Sequence, residues 1–428
     1  MNKKTVRDVS LKGKRVVMRV DFNVPMENAQ VQDDTRIRAA LPTVRYIMDQ
    51  GASQVLMSHL GRPKGKGYEA EFSLKPVADH LAKLLGKPVA FAPDCLKADD
   101  QVKALKPGGV LLLENTRFYK EEEGKAKTEG LSDEEAAKAK KEMKEKTRAM
   151  AQKLAGYGEI FVNDAFGSAH RAHASTAVIA QFVKESVAGF LMEKEINYLG
   201  EAVANPARPF VAILGGAKVS DKVNVITNLL GKVDALIIGG AMTYTFYRAK
   251  GLPIGKSLVE EDKVDLAKQI LAQAAAAKKK ILLPVDHVIA DKFSADAKVE
   301  TVGEAGIKEG WMALDIGPRS VKLFADEIRK AKTVVWNGPM GAFEMKPFAA
   351  GTMAVAKAIA ETKCLSIIGG GDSVAAVNES GLADKMTHIS TGGGASLEFL
   401  EGKELPGVAC LTDAKPKGGC ACGCKCGK

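Results

Sequence analysis

Arg36, Arg62, Arg117 and Arg171 are the residues of the first half best suited to chemistry. A guanidinium grips a carboxylate or phosphate through two parallel hydrogen bonds, so several around one cleft would hold a small molecule bearing more than one anionic group. Near them lie further polar groups that close short apolar runs: Asp21 and Asn23, His59, Glu114 and Asn115, and Asn163 and Asp164 just ahead of His170 and His173. The second half offers mostly bare backbone at such places. There "GGAK" at 215 to 218, Gly239 and Gly240, "NGPMG" at 337 to 341, "GGGDS" at 369 to 373 and "TGGG" at 391 to 394 follow apolar runs. Glycine lets the chain come close to a phosphate, and a helix starting there aims free N–H groups and the positive end of its dipole at the anion. A small acid on one half and a nucleotide on the other suggest phosphoryl transfer. Taken singly, a strand-end arginine is more often a surface ion pair and a glycine triplet more often a tight turn; their repetition carries the inference.

These residues need a scaffold that brings strand ends to one edge. Short apolar runs alternate with helical patterns along the chain, as in repeated strand–helix units with a parallel sheet. The expected strands of the first half are "RVVMRVDFN" from Arg15, "QVLMSH" from Gln54, "PVAFAP" from Pro88, "VLLLEN" from Val110 and "IFVNDA" from Ile160. Those of the second are "PFVAILGG" from Pro209, "ALIIGG" from Ala235, "KKILLPVD" from Lys279, "KTVVWNGP" from Lys332, "CLSIIGGG" from Cys364 and "HISTGGG" from His388. In such sheets ligands collect beyond the carboxyl ends of the strands, where the residues above fall. Between the halves, "SVAGFLMEKEINYLGEAVANPARP" reads as an amphipathic connecting helix ended by Asn205 and Pro206. Ser132 and Glu135 form a capping box ahead of a stripe of Ala136, Ala139, Met143, Thr147, Met150 and Leu154, which predicts a long, charged surface helix. His80 and His287 read as structural.

With 428 residues the chain is too long for one ordinary core and suits two domains. Its 46% hydrophobic and 27% charged residues are those of a soluble globular protein, and it lacks the run of roughly 18 apolar residues that spans a membrane. The opening "MNKKTVRDVSLKGKR" has no apolar secretion core, and Cys95, Cys364 and Cys410 are scattered singly, so a reducing, cytoplasmic location is expected. The net charge of +10 could signal nucleic acid, yet only 6% of residues are aromatic and no basic helix interleaves them; a small polyanion fits better. "GLPIGKS" at 251 to 257 is one residue short of a Walker phosphate loop and reads as a plain loop. A dinucleotide-dependent dehydrogenase is the alternative, disfavoured because no Gly-x-Gly-x-x-Gly follows the first strand or appears at "GGGDSV" or "GGGASL".

Nine stretches, "RVDFNVP", "DDTRIRAALPT", "SHLGRPKG", "LLLENTRF", "VNDAFGSAHRAHAST", "LGGAKVSDK", "VVWNGPMGAFE", "IIGGGDS" and "STGGGASLEFL", resemble in this order the motif set of the phosphoglycerate kinase family, over about residues 5 to 410. The resemblance implies an α/β fold of two domains, each a parallel sheet flanked by helices in a Rossmann-like, three-layer arrangement, joined by a hinge helix. It puts a phosphoglycerate-binding domain at 1–185, with residues from about 400 to 412 packing back onto it, an interdomain helix at 186–205, and a nucleotide-binding domain at 206–399. The implied activity is that of a phosphotransferase with a carboxyl group as acceptor. It moves a phosphoryl group reversibly from 1,3-bisphosphoglycerate to ADP, giving 3-phosphoglycerate and ATP in glycolysis and gluconeogenesis. A monomer with Mg²⁺ as cofactor and no nucleic-acid or membrane partner is expected, closing about its hinge when both ligands bind.

By the same resemblance, Asp21, Phe22, Asn23, Arg36, His59, Leu60, Gly61, Arg62, Arg117 and Arg171 hold the phosphoglycerate. The neighbouring Lys64 and Lys66 match less strictly and read as solvated. Lys218 and Lys222 follow the moving phosphoryl group and the nucleotide phosphates, and Arg36 with the helix starts at Gly371 and Gly394 completes the catalytic set. Ala313, Asn337, Glu344, Gly371, Asp372, Ser373 and Val374 complete the nucleotide site, with Glu344 on the ribose, Asn337 on a phosphate and Asp372 on the magnesium ion. Ala313 and Val374 depart from the Gly and Ala that the family commonly carries there. The tail at 413–428, ending "KPKGGCACGCKCGK", lies outside the resemblance. Its Cys-x-Cys spacing is tighter than structural zinc sites favour, so a disordered thiol-rich tail is preferred over a soft-metal site.

Overall fold

The computed structural model describes residues 2–414; the cysteine-rich tail lies outside them. The chain divides into two compact units. One is formed by the chain up to Lys194 and the segment that begins again at Leu405, the other by Glu195–Glu404. Each is built on a six-stranded sheet whose strands are all parallel.

In the first unit the strands run, edge to edge, Ala90–Ala92, Val110–Leu113, Ser53–Met57, Arg15–Arg19, Ile160–Asn163 and Glu185–Ala188. Side chains alternate across a strand, so a sheet covered on both faces needs apolar residues at every position. Val16, Met18, Leu56, Leu112 and Val162 share one core with Ile37, Val44 and Ile47 of the helix Thr35–Asp49 and with Val77 and Leu81 of Lys75–Leu85. Val17, Val55, Met57, Leu111 and Phe161 turn the other way, toward Val102, Met150, Leu154 and Ile179. The helix Asp133–Ala155 has the expected capping box and buries Met143, Thr147, Met150 and Leu154, whereas Ala136 and Ala139 are only half-buried.

The connecting segment differs from its sequence reading. Glu185–Ala188 is the sixth strand, and the helix begins only at Phe190 and runs to Ala204. Four residues are too few to tell a strand from a helix start by periodicity, and pairing decides the matter. The returning segment adds to it, Thr412 donating its N–H to Ser186 O at 2.8 Å.

The second sheet runs Lys280–Leu282, Ala235–Ile238, Phe210–Leu214, Thr333–Asn337, Leu365–Gly369 and His388–Ile389. Val211, Ile213, Ile237, Val334, Trp336 and Ile368 pack with Phe324, Ile328, Val355 and Ile359 on one face. Ala212, Leu214, Leu236, Ile238 and Ile367 on the other are equally buried. The sequence reading missed a three-stranded antiparallel sheet, Val299–Gly303, Asp286–Ala290 and Met312–Ile316. Its edge strand "VETVG" is mostly exposed, so no apolar pattern announces it. "GLPIGKS" forms turns and loop.

Under the small sheet His287 is fully buried between two tyrosines. The Tyr247 hydroxyl donates to Pro284 O, so it accepts from His287 Nε2 at 3.0 Å, and His287 Nδ1 accepts from the Tyr244 hydroxyl at 3.2 Å. Every polar atom of the neutral ring is satisfied, and burial pushes His287 down to about 4. The unfolded chain therefore takes up a proton below about pH 6.5 that the folded core refuses until about pH 4, which removes roughly 3 kcal/mol of stability across that window. In urea titrations, the unfolding free energy of His287→Gln should vary less steeply with pH in this window than the parent's, by up to one proton.

Candidate functional site

The first unit gathers its site through loops that leave neighbouring strands. After Arg15–Arg19 the chain turns so that Asp21 Oδ2 accepts from Arg36 Nη1 at 3.0 Å and Oδ1 accepts from the Asn23 N–H at 3.3 Å. Asn23 Oδ1 accepts from the Gly61 N–H at 2.8 Å, and Gly61 O accepts from Arg117 Nη1 at 3.0 Å. Three loops are thus tied through Gly61. Its φ of +63° and the 2.3 Å that a Cβ would leave to the Phe72 ring require glycine there. Phe22 and Leu60 are buried and serve as floor, Phe22 donating to Ser58 Oγ at 2.9 Å and Leu60 O accepting from Asn115 Nδ2 at 2.7 Å.

Arg62 and Arg171 are exposed, and neither guanidinium has an ion pair or hydrogen bond among the described residues. Arg171 and Arg117 are close enough to repel. Lys64 and Lys66 are exposed, as expected. His59 is buried below these cations, its Nδ1 3.0 Å from Nη2 of Arg19. Burial, then Arg19 and Arg117, hold the imidazole well below its ordinary value, so it is neutral.

Other strand-end candidates turn out structural. Glu114 accepts from the Ser73 hydroxyl at 2.6 Å and from the N–H groups of Leu74 and Asn115 at 2.8 Å each. Asp164 is fully buried and accepts from Met192 N–H at 3.0 Å in the first turn of Phe190–Ala204, burial pushing it up to about 7. Sequence reasoning missed Arg19, Ser175 and Glu122, all fully buried and joined by hydrogen bonds in a chain that reaches His59 through Arg19. The one signal was an arginine inside the apolar run "RVVMRV".

In the second unit the cradle is backbone. Gly215 donates to Asn337 O at 3.0 Å, Gly216 to Pro339 O at 3.1 Å, and Gly240 to Met340 O at 3.0 Å, so three adjacent strand ends close on one another. A Cβ on Gly338 would stand 2.2 Å from Gly215 O. The Lys222 ammonium donates to Asn337 Oδ1, and Gly338 N–H to Ser373 Oγ at 2.6 Å. Burial pushes Lys222 down to about 8, against the pull of Asp221 and Asp372. Asn337 Nδ2 is buried without a partner among the described residues, 3.0 Å from where a Cβ of Gly370 would sit. Helices begin at Gly371 and Gly394, beyond two adjacent strands, with Asp372 exposed in the first turn of Gly371–Glu379.

Lys218 and Glu344 are exposed and have no ion pair among the described residues; Val374 is half-buried. Ala313 lies in the antiparallel strand Met312–Ile316, buried in a cluster with Tyr244, Tyr247 and Ile289, and the next residue of that strand, Leu314, accepts through its O from Ala342 N–H at 2.9 Å, in the loop that carries Glu344. The structure thus brings together Lys222, Asn337, Ser373 and the glycines, and ties the strand of Ala313 to the loop that follows Asn337.

Basic groups meet at one strand edge of the first unit, and a glycine-lined edge of the second holds an amide nitrogen without a partner among the described residues. A model of the family described as phosphoglycerate kinase matches residues 6–403. The chain belongs to the phosphoglycerate kinase family. It is 58% identical over 421 residues to the phosphoglycerate kinase of Chloroherpeton thalassium, covering 97% of this chain and all of that one. It is 55% identical over 416 residues to the cytosolic phosphoglycerate kinase of Triticum aestivum, covering 96% and 98%. Among solved structures, phosphoglycerate kinase from Coxiella burnetii superimposes with a TM-score of 0.84 at 41% identity, over 96% of this chain and 98% of that one. The enzyme from Pyrococcus horikoshii does so with 0.77 at 34% identity, over 95% and 98%.

The cradle of this phosphoglycerate kinase family member rests on backbone contact that no side chain can relieve. Gly338 also has a φ of +99°. Gly338→Ala should lower the stability of the second unit by at least about 2 kcal/mol, from the left-handed φ and the overlap with Gly215, as measured by urea unfolding.

Proposed function

We infer that the chain transfers a phosphoryl group reversibly between 1,3-bisphosphoglycerate and ADP, giving 3-phosphoglycerate and ATP, the glycolytic reaction of its family. The observation that carries this reading is the pairing of a full-length family match with two anion sites of opposite character. Arginines and a neutral imidazole suit a small acid with a fixed phosphate; glycine backbone, an ammonium and an unpaired amide suit a polyphosphate. The dehydrogenase alternative is set aside, since the full-length relatives are phosphoglycerate kinases.

A loose phosphoryl transition state leaves little covalent work, so rate comes from alignment and from neutralising spread charge. The acceptor is already an anionic oxygen, and no general base is needed. Arg36, held by Asp21, Lys218 and the helix starts at Gly371 and Gly394 would face the equatorial oxygens. Asn23, His59, Arg62, Arg117 and Arg171 would bind and orient the acid, and Lys222 with Asn337 the nucleotide phosphates. Glu344 would take the ribose. Asp372 fits Mg²⁺, because this ion is usually held by one or two carboxylates plus substrate phosphates; it would supply charge neutralisation between the phosphates. A monomeric, cytoplasmic enzyme is proposed, on the cytosolic wheat relative and the +10 charge suited to small polyanions; among the described residues no helix is long and apolar enough to cross a membrane.

Formation of ATP from ADP and 1,3-bisphosphoglycerate in a coupled assay tests the reading, and no turnover would overturn it. Within it, Arg62→Ala and Arg117→Ala should mainly raise KM, since they grip the end of the acid that does not react. Lys218→Ala should instead lower kcat by about 10² to 10³-fold; a normal kcat with a raised KM for ADP would make Lys218 a nucleotide anchor. A second outcome follows from Lys222, which is cationic below about pH 8 and neutral above it. Calorimetry should show ADP binding weakening as pH rises from 7.5 to 9.5, up to about tenfold per unit at the upper end, and Lys222→Met should flatten that dependence.

A further inference from the structure

Beneath His59 runs a chain of buried groups that the transfer chemistry does not use. The Arg19 guanidinium is fully buried. It donates through Nη2 to His59 Nδ1 at 3.0 Å, through Nη1 to Val20 O, and through Nε to Ser175 Oγ at 2.9 Å. A guanidinium has donors only, so Nδ1 must present its lone pair and the ring proton must sit on Nε2. Ser175 Oγ, occupied as an acceptor by Arg19, sends its own proton to Glu122 Oε1 at 2.5 Å, while Ser175 N–H donates to Glu122 Oε2 at 3.0 Å. Glu122 is fully buried as well and is the one carboxylate in this chain of bonds. Each bond thus has a fixed direction, from a buried carboxylate to a buried imidazole.

We propose that Glu122, Ser175 and Arg19 are positioning residues that lock His59 as the neutral, Nε2-protonated tautomer, so that it meets the anionic substrate as an N–H donor and never as a cation. The proposal rests on the phosphoglycerate reading of His59. A protonated histidine would add charge to the arginines, but here protonating Nδ1 would set N–H against the Arg19 donor and strand a second cation beside it. The cations around the ring oppose it, Arg19 at the end of Arg15–Arg19, Arg36 on the helix Thr35–Asp49 and Arg117 after Val110–Leu113, and His173, held down to about 3 by burial and Arg117, is neutral and brings no negative charge to favour it. Glu122 makes the lock affordable, because a fully buried guanidinium without a compensating charge would be unstable. Ser175 relays that charge while keeping the carboxylate off the imidazole, which it would otherwise pull toward protonation.

Nitrogen-15 spectra of the labelled full-length protein read the tautomer directly, with no substrate present. The expected result is a His59 ring with Nε2 protonated and Nδ1 bare, unchanged from pH 8 to pH 5. A ring that titrates near pH 6.5, or carries its proton on Nδ1, would overturn the proposal whatever the enzyme turns over. Ser175→Ala should let the His59 signals shift toward mixed tautomers and raise KM for 3-phosphoglycerate by about fivefold to tenfold, the loss of one oriented hydrogen bond, with kcat little changed. Ser175→Thr keeps the hydroxyl and should restore both readouts. A Ser175→Ala protein that retains the parent tautomer and KM would show the relay to be inert. If the parent shows the locked tautomer but no phosphoglycerate turnover, the functional reading fails and the lock stands as a structural device.

Discussion

A strand whose neighbours run the same way as itself returns to the sheet only by a crossover, so every carboxyl end in a parallel sheet opens on one edge. In the first unit this puts the loop of His59 and Gly61, after Ser53–Met57, between the loop of Arg117 on one side and that of Asp21 and Asn23 on the other. The bonds Asn23 to Gly61 and Gly61 to Arg117 follow from that adjacency. The second unit repeats the arrangement with Ala235–Ile238, Phe210–Leu214, Thr333–Asn337 and Leu365–Gly369 side by side. There the loops meet backbone to backbone because glycines fill them.

The two edges present positive charge in different ways. The first collects formal positive charge and must neutralise it without blocking the site. Asp21 holds Arg36 at 3.0 Å, Glu123 stands 3.4 Å from Arg117, and Glu122 compensates Arg19 from below. Each carboxylate spares its cation the full cost of isolation, and Arg62 and Arg171 stay exposed to water. The second edge relies on N–H dipoles, which carry no net charge and need no counterion, and concentrates one partly buried ammonium at Lys222. Burial lowers that ammonium toward about 8, whereas the imidazole of His59 on the first edge is made neutral outright.

Much of this was legible beforehand because the informative residues are local. All eleven strands expected from apolar runs exist, and the charged-versus-glycine contrast of their ends can be seen in the sequence alone. The nine motifs carry the family, and the match over 6–403 bears that out. What escaped was set by distant partners. Glu185–Ala188 is a strand only because Ile160–Asn163 and Thr412 pair with it. The small antiparallel sheet that carries Ala313 has an edge strand too exposed to have a pattern. Ser175 falls within the stretch "VNDAFGSAHRAHAST", but Glu122 stands 53 residues away from it outside any of the nine motifs, so nothing local joins the pair to His59.

Two asparagines show why residue type at a strand end does not by itself make a site. Asn163 and Asn337 each close the strand that follows the same pattern, apolar run and then a polar amide. Asn163 Nδ2 donates to Gly407 O at 2.9 Å and Thr176 O at 3.3 Å, and its Oδ1 accepts from Ala165 N–H at 3.1 Å, so the fold consumes all it can offer. Asn337 has its oxygen bonded to Lys222 while Nδ2 is buried and unpaired among the described residues. Leaving a buried donor unsatisfied costs about 1 to 3 kcal/mol, a cost that a fold tolerates where something outside the chain supplies the acceptor. The difference comes from the neighbours: a returning segment covers Asn163, whereas Gly370, with no side chain, leaves the space in front of Asn337 open. An anionic oxygen placed there would complete the amide and face the Lys222 ammonium at once, which is the physical reason to read that edge as the phosphate end of the nucleotide site.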